Sequence, residues 1–151
     1  MFSKSAGILF ASFFTLATLS PAAAQSASDA CSLLSQAQIS TAVGAQVSAG
    51  TWMTPSFKAT CSWTAPGIIV TLMTEGTDAF QSGKKPLSPA MQIVPASGIG
   101  DDAYYVVTGT MVSLFTKKGS TAFKTTIYSK QPVNKLESME SALATQVASE
   151  L

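Results

Sequence analysis

The chain has 151 residues, of which 46% are hydrophobic, and its nine basic residues are all lysines, giving a formal net charge of +1. It lacks the basic surface that supplies most affinity for nucleic acid and the Lys/Arg-rich helix that binds anionic lipid. It contains no histidine, which is the commonest general base and the commonest transition-metal ligand. We therefore expect no nucleic-acid partner and no cofactor.

Residues 1–24 have the pattern of a secretory signal peptide. A short basic start, Met1–Ser5, precedes the apolar run Ala6–Leu19, which is shorter than the ~20 residues that span a bilayer. An Ala-x-Ala site then ends at Ala24, so we predict cleavage there and a periplasmic or secreted protein without stable membrane insertion after cleavage. An N-terminal membrane anchor is the alternative. A lipoprotein would need a cysteine at the cleavage site, whereas the first cysteine is Cys31.

The remaining chain is predicted to form a flexible lead over residues 25–30 and a single domain over residues 31–151. Its two cysteines, Cys31 and Cys61, are most simply explained as one disulfide in an exported protein. The alternative, a pair of reactive or metal-binding thiols, lacks the Cys-x-x-Cys spacing and any histidine partner.

The first predicted elements are a helix and a hairpin. Ser35 and Gln38 have capping-box spacing and Gly44 is placed to end the helix, which predicts helix 35–43. Pro66-Gly67 separates two runs of strand-forming residues, 59–64 and 68–73, and is a natural centre for a type II turn.

The second half predicts a short helix over 77–82, a brief strand over 91–94, and strands over 103–108, 110–117 and 120–128. A turn at Lys118-Gly119 would place Leu114 opposite Phe123. Asn134 is expected to cap a helix over 135–150, whose apolar stripe should pack on the sheet. Together these elements predict an α+β fold, with a mainly antiparallel sheet of five to seven strands and the N- and C-terminal helices on one face. The other face should be mixed and partly solvated.

The stretch Gly98–Ala103 (GIGDDA) matches G-x-G-x-x-A, but a dinucleotide site needs a strand before it and a helix after it. Here a Pro- and Ser-containing loop precedes it and strand residues follow. Asp101 and Asp102 are adjacent, so in extended chain their side chains point to opposite sides and are poorly placed to share a cation. A turn, in which the glycines adopt positive φ and an aspartate accepts from nearby amides, is the favoured interpretation.

A second short motif, Ser82–Lys85, has the S-x-x-K spacing of penicillin-binding serine enzymes. The S-D-N and K-T-G motifs of those enzymes are missing, so an exposed lysine loop is the favoured interpretation.

Several stretches together carry a resemblance: CSLLSQAQISTAVG, CSW before an apolar strand, GIGDDAYY, KKGSTAFKTTI, and the helix Leu136–Val147. The chain resembles a set of small exported bacterial domains of unknown function, many of them lipoproteins, that open with Cys-x-Leu-Leu and carry Gly-x-Gly-Asp-x-Ala before a strand. The resemblance implies an α+β fold and a Cys31–Cys61 bridge, and no activity. Membrane tethering does not carry over, because a lipidated cysteine is missing.

The functional expectation is an exported, non-catalytic module that binds a protein or a small apolar ligand, with no catalytic or metal-ligating residues assigned. Asp101, Asp102, Tyr104 and Tyr105 are the candidate partner or ligand surface. One alternative is a small hydrolase that uses Asp101 or Asp102, together with Lys84 or Lys85. Another is a structural subunit in envelope assembly.

Overall fold

A computed structural model of the chain describes residues 29–151, so the predicted signal peptide, residues 1–24, lies outside the described residues. A short 3-10 helix, Ala30–Ser32, precedes three α-helices and seven strands. The helices are α1 (Gln36–Val43), α2 (Thr77–Gly83) and α3 (Val133–Glu150). The strands are β1 (Thr51–Thr54), β2 (Phe57–Ala65), β3 (Ile68–Gly76), β4 (Met91–Ala96), β5 (Asp102–Thr108), β6 (Met111–Lys118) and β7 (Thr121–Tyr128).

The seven strands form one sheet in the order β1-β2-β3-β7-β6-β5-β4. Every neighbouring pair is antiparallel. Two runs of consecutive antiparallel strands, β1 to β3 and β4 to β7, therefore meet at the centre of the sheet. There the last strand, β7, pairs with β3 along eight residues. The predicted α+β fold with a mainly antiparallel sheet is confirmed.

The hairpin between β6 and β7 corrects the predicted register. Lys118 pairs with Thr121 and Leu114 pairs with Thr125, so the turn is Gly119-Ser120 and not Lys118-Gly119. Gly119 has φ 57° and stands at the first central position, which is where a type II′ turn requires glycine. The register moves by two residues, so every side chain keeps its predicted face of the sheet.

One face of the sheet carries the main core and is covered by α1 and α3. The sheet contributes inward-facing side chains such as Trp63, Leu72 and Leu114, all at most 1% exposed. The helices contribute Ile39 and Leu143, which are fully buried. Helices at both ends of the chain thus pack on the same side of the sheet, as the sequence predicts.

Helix α1 has the predicted capping box, because Ser35 Oγ accepts from the Gln38 amide and the Gln38 side chain accepts from the Ser35 amide. Gly44 ends it in the left-handed conformation, with φ 69°. Helix α3 begins earlier than predicted, because Pro132 and not Asn134 is its N-cap, and no side chain caps it. The Pro132 carbonyl accepts from the amides of Lys135 and Leu136.

The Cys31–Cys61 disulfide is confirmed, with a Cα–Cα distance of 5.0 Å. It joins the 3-10 helix to β2 in the middle of the sheet's first hairpin. Next to it, Ala30 is fully buried and the Asp29 carboxylate accepts from the Cys31 amide. These two residues therefore pack with the fold, although the sequence places them in the predicted lead.

Candidate functional site

The GIGDD stretch lies in the connection that leads into β5, and it docks on the β6–β7 turn. Gly100 has φ 59°, and a Cβ added there would lie 2.5 Å from the carbonyl oxygen of Lys117. The next residue, Asp101, donates its amide to that same carbonyl at 2.8 Å. The backbone at Gly100 therefore approaches β6 more closely than any other residue type would permit.

The Asp101 side chain binds the turn that connects β6 and β7. Oδ2 accepts from the Gly119 amide at 2.7 Å, and Oδ1 lies 3.4 Å from Lys118 Nζ. These two contacts, the Gly119 hydrogen bond first, lower the pKa of the Asp101 carboxyl. The carboxylate thus stabilises a Gly-Ser turn.

Asp102 has a different partner, although it is the next residue. It starts β5 and forms an ion pair with Lys84, which follows α2. Both side chains are more than a third exposed, so the pair is screened by solvent and contributes little stability. Adjacent carboxylates bound by different lysines do not form one shared site. Asp102 with Lys84 is one of the aspartate–lysine pairs that the hydrolase alternative names, and that alternative stays a prediction.

Tyr104 and Tyr105 lie in the interior, on opposite faces of β5. Tyr104 is 2% exposed, donates its hydroxyl to the Phe80 carbonyl at 2.7 Å, and stacks on Phe115 with ring centroids 5.0 Å apart. Tyr105 is 9% exposed and donates to the carbonyl oxygen of Glu137 in α3. Burial raises the pKa of both phenols.

Of the four residues proposed from the sequence as a partner surface, the structure therefore places only Asp101 and Asp102 at the surface. The tyrosine hydroxyls secure α2 and α3 to the two faces of the sheet. Within residues 29–151, no three His, Cys, Asp or Glu side chains lie close enough together to hold a metal ion.

The second face of the sheet carries a different feature, which we call the open row: Ile69, Met111 and Tyr128. These side chains are 44%, 45% and 47% exposed. Ile69 pairs with Tyr128. The β6–β7 pairing ends at Ser113 and Thr126, and two residues further along each strand Met111 and Tyr128 lie on this same face. Three large apolar side chains thus line up across neighbouring strands β3, β7 and β6.

Among residues 29–151, α2 is the element that covers part of the second face. Phe80 of α2 is fully buried against Tyr104 and Ala122, and partly buried apolar residues surround this contact. Helix α2 is seven residues long and stands at the end of the face opposite the open row. The open row therefore remains in contact with solvent.

The sequence predicts a mixed second face, and it also held a signal for the β3 member of the open row, Ile69, that pattern reading missed. Residues 68–73 form a continuous run, Ile-Ile-Val-Thr-Leu-Met, in which only alternate members, Val70 and Leu72, are needed for the core. The residues between them face the other side of the sheet, because side chains alternate along a strand. An apolar residue there, such as Ile69, indicates a second apolar surface.

A separate exposed group, the hairpin patch, comprises Trp52, Met53 and Phe57 at the β1–β2 hairpin. They are 40%, 61% and 53% exposed. The Trp52 indole is already engaged, because its Nε1 donates to Asp29 at 2.9 Å and Lys58 Nζ lies 4.7 Å from the ring centroid. A cavity of about 380 Å³ adjoins this patch, and another of about 530 Å³ lies along α1. Neither cavity includes the open row.

No protein-family model, no curated protein and no solved structure matches this chain. Within the described part of the chain, no helix has both the length and the apolar character needed to cross a membrane.

Proposed function

We propose that this protein is an exported, non-catalytic interaction module that binds a partner protein through the open row. The single observation that carries the proposal is the alignment of Ile69, Met111 and Tyr128 across three strands, each close to half exposed. Contiguous apolar surface of this kind is typical of interaction sites, whereas isolated exposed apolar residues are ordinary.

The shape of the face favours a protein over a small ligand. Small apolar ligands bind in concave sites that enclose most of their surface. The open row instead lies on the outer face of a sheet, and the two cavities described above are lined by other residues. A broad, shallow surface with methionine and tyrosine side chains is better suited to a protein interface, where both residue types are enriched.

The disulfide supports export. Structural disulfides persist in oxidising compartments and are rare in the cytosol. The Cys31–Cys61 bridge therefore agrees with the signal peptide predicted over residues 1–24, and both support a periplasmic or secreted location.

Photo-cross-linking in cells tests this proposal. A photoreactive residue at Thr71, which is half-buried on β3 beside Ile69, should capture one protein of defined mass. Ile69→Thr with Met111→Thr should abolish that adduct, because threonine suits an exposed strand but removes apolar area. Met53→Thr, in the hairpin patch, is the matched control and should leave the adduct intact.

Two results would overturn the proposal. One is the absence of any open-row-dependent adduct when the protein is expressed with its own leader. The other is a small molecule of defined mass retained by the protein in native mass spectrometry and lost in the Ile69→Thr, Met111→Thr variant. A single adduct that is equally lost in Met53→Thr would point to the hairpin patch.

A further inference from the structure

Glu140 lies on the apolar side of α3 and is completely buried. It is 0% exposed, in a helix whose other inward-facing residues include Leu136, Leu143 and Val147, each at most 1% exposed. Glutamate is almost never fully buried without a partner for its charge. Core packing alone therefore does not explain why a glutamate lies between α3 and the sheet.

The carboxyl group of Glu140 binds the sheet through one oxygen. Oε1 accepts from the Ile127 amide at 2.9 Å, at the point where the paired register of β6 and β7 ends at Ser113 and Thr126. Oε2 is also buried and has no hydrogen-bond partner among residues 29–151. An ionised carboxylate here would be buried with no cation beside it and with one oxygen that lacks a hydrogen bond, which is costly in a site without water.

The elements packed around Glu140 bring no cation to it. On α3 the nearest charge is Glu137, which opposes ionisation, and β5 contributes the phenol of Tyr105. Helix α1 has no titratable residue. On β6 and β7, the titratable side chains of Lys117, Lys124 and Tyr128 lie on the opposite face of the sheet. The remaining one, Lys118, contacts Asp101.

We propose that Glu140 makes the docking of α3 on the sheet sensitive to pH, so that the helix is held firmly while the carboxyl is protonated and loosens when it ionises. Burial is the main cause that raises the pKa of Glu140 from 4.5 to about 8, and the negative charge of Glu137 adds to the rise. The amides of Ile127 and, more weakly, Leu114 oppose it. In the unfolded or opened chain the carboxyl regains its ordinary pKa. The closed state thus binds the proton more tightly than the open state.

The sign of the effect follows from this difference. Between about pH 4.5 and pH 8 the open state has lost its proton and the closed state has kept it, so the closed state becomes less favoured as the pH rises. Below about pH 4.5 the carboxyl is protonated in both states, so the docked state of α3 keeps its full stability. The predicted loosening on the alkaline side would uncover the main core beneath α3, and it is independent of the open row on the other face.

Hydrogen exchange on the oxidised, disulfide-bonded protein tests the proposal. Protection of the α3 amides and of Ile127, corrected for intrinsic exchange, should fall by on the order of a hundredfold between about pH 5 and pH 8. Glu140→Gln, which keeps the shape and one acceptor, should remove this pH dependence. Glu137→Gln is the matched control on the same helix and should keep it.

If Glu140→Gln does not fold, a second measurement tests the proposal. Carbon NMR of the Glu140 side-chain carboxyl in the unmodified protein should show a midpoint well above 4.5, at the pH where the fall in α3 protection levels off. The proposal fails if α3 protection is the same across the pH range. It also fails if Glu140 titrates near its ordinary value, or if Glu140→Gln retains the pH dependence of the unmodified protein.

Discussion

Gly98 and Gly100 share one short motif and a positive φ, yet the fold needs them for different reasons. At Gly98, with φ 77°, an added Cβ would meet nothing within 4 Å, so only the backbone conformation favours glycine. At Gly100 the same conformation is combined with a contact to the Lys117 backbone that leaves no space for a side chain. The motif is therefore a docking point between a loop and a hairpin.

The two glycines provide a matched pair of substitutions. We expect Gly98→Ala to cost about 1 kcal/mol, which is the strain of placing alanine at positive φ. Gly100→Ala should cost at least about 3 kcal/mol, because either the loop or β6 must also move. Urea denaturation of both variants measures the difference, and equal losses of stability would show that the contact with Lys117 is not restrictive.

At the scale of elements, local signals set where helices begin. The Ser35 and Gln38 pair is read directly from the sequence, since a capping box involves residues only three apart. The start of α3 is not, because the helix already begins at Val133, so Asn134 lies within its first turn and is not the N-cap.

Substitutions at two positions of α1 should have opposite effects. Ser35→Ala removes the acceptor for the Gln38 amide and should cost about 1 kcal/mol. Thr41→Ala, on the same helix, should be neutral or slightly stabilising, because the exposed Thr41 hydroxyl binds the Ala37 carbonyl within the helix and threonine has the lower helix propensity. Thermal melts of the two variants test this, and a Thr41→Ala loss as large as that of Ser35→Ala would contradict it.

Phe80 provides the main apolar contact of α2 with the sheet, beside the hydrogen bond that the Tyr104 hydroxyl donates to the Phe80 carbonyl. Phe80→Ala should cost about 3–5 kcal/mol, because it empties the centre of the second, smaller core that includes Tyr104. Leu87→Ala, in the loop after α2, is the control and should change stability by less than about 0.5 kcal/mol, since Leu87 is 87% exposed. Chemical denaturation distinguishes them, and a small effect of Phe80→Ala would mean that α2 is held by other contacts.

At the scale of the whole molecule, the disulfide joins the N-terminal segment to the sheet across 30 residues of sequence. We expect its reduction to lower the free energy of unfolding by roughly 3–4 kcal/mol, mainly because the unfolded chain gains freedom. Denaturation with and without reductant measures this, and alkylation confirms the redox state. An unchanged denaturation midpoint in the fully reduced protein would contradict the prediction.

The sequence by itself determined the features that arise from neighbouring residues: the hairpin at Pro66-Gly67, the capping box of α1, the amphipathic stripe of α3 and the alternation of faces along each strand. It also predicted the disulfide, because only two cysteines are available to pair. These features follow from interactions over a few residues or from simple counting, so no knowledge of the folded shape is needed.

Only the tertiary structure decided which side chains remain in contact with solvent and which polar groups lose it. Tyr104 and Tyr105 are residues that a sequence permits either at a surface or in a core, and α2 and α3 bury them. Ile69 and Tyr128 are equally suited to a core, and they stay exposed because α2 is too short to cover them. Glu140 is polar by type and buried by position, since the helix stripe and the meeting of β6 with β7 are set by distant parts of the chain.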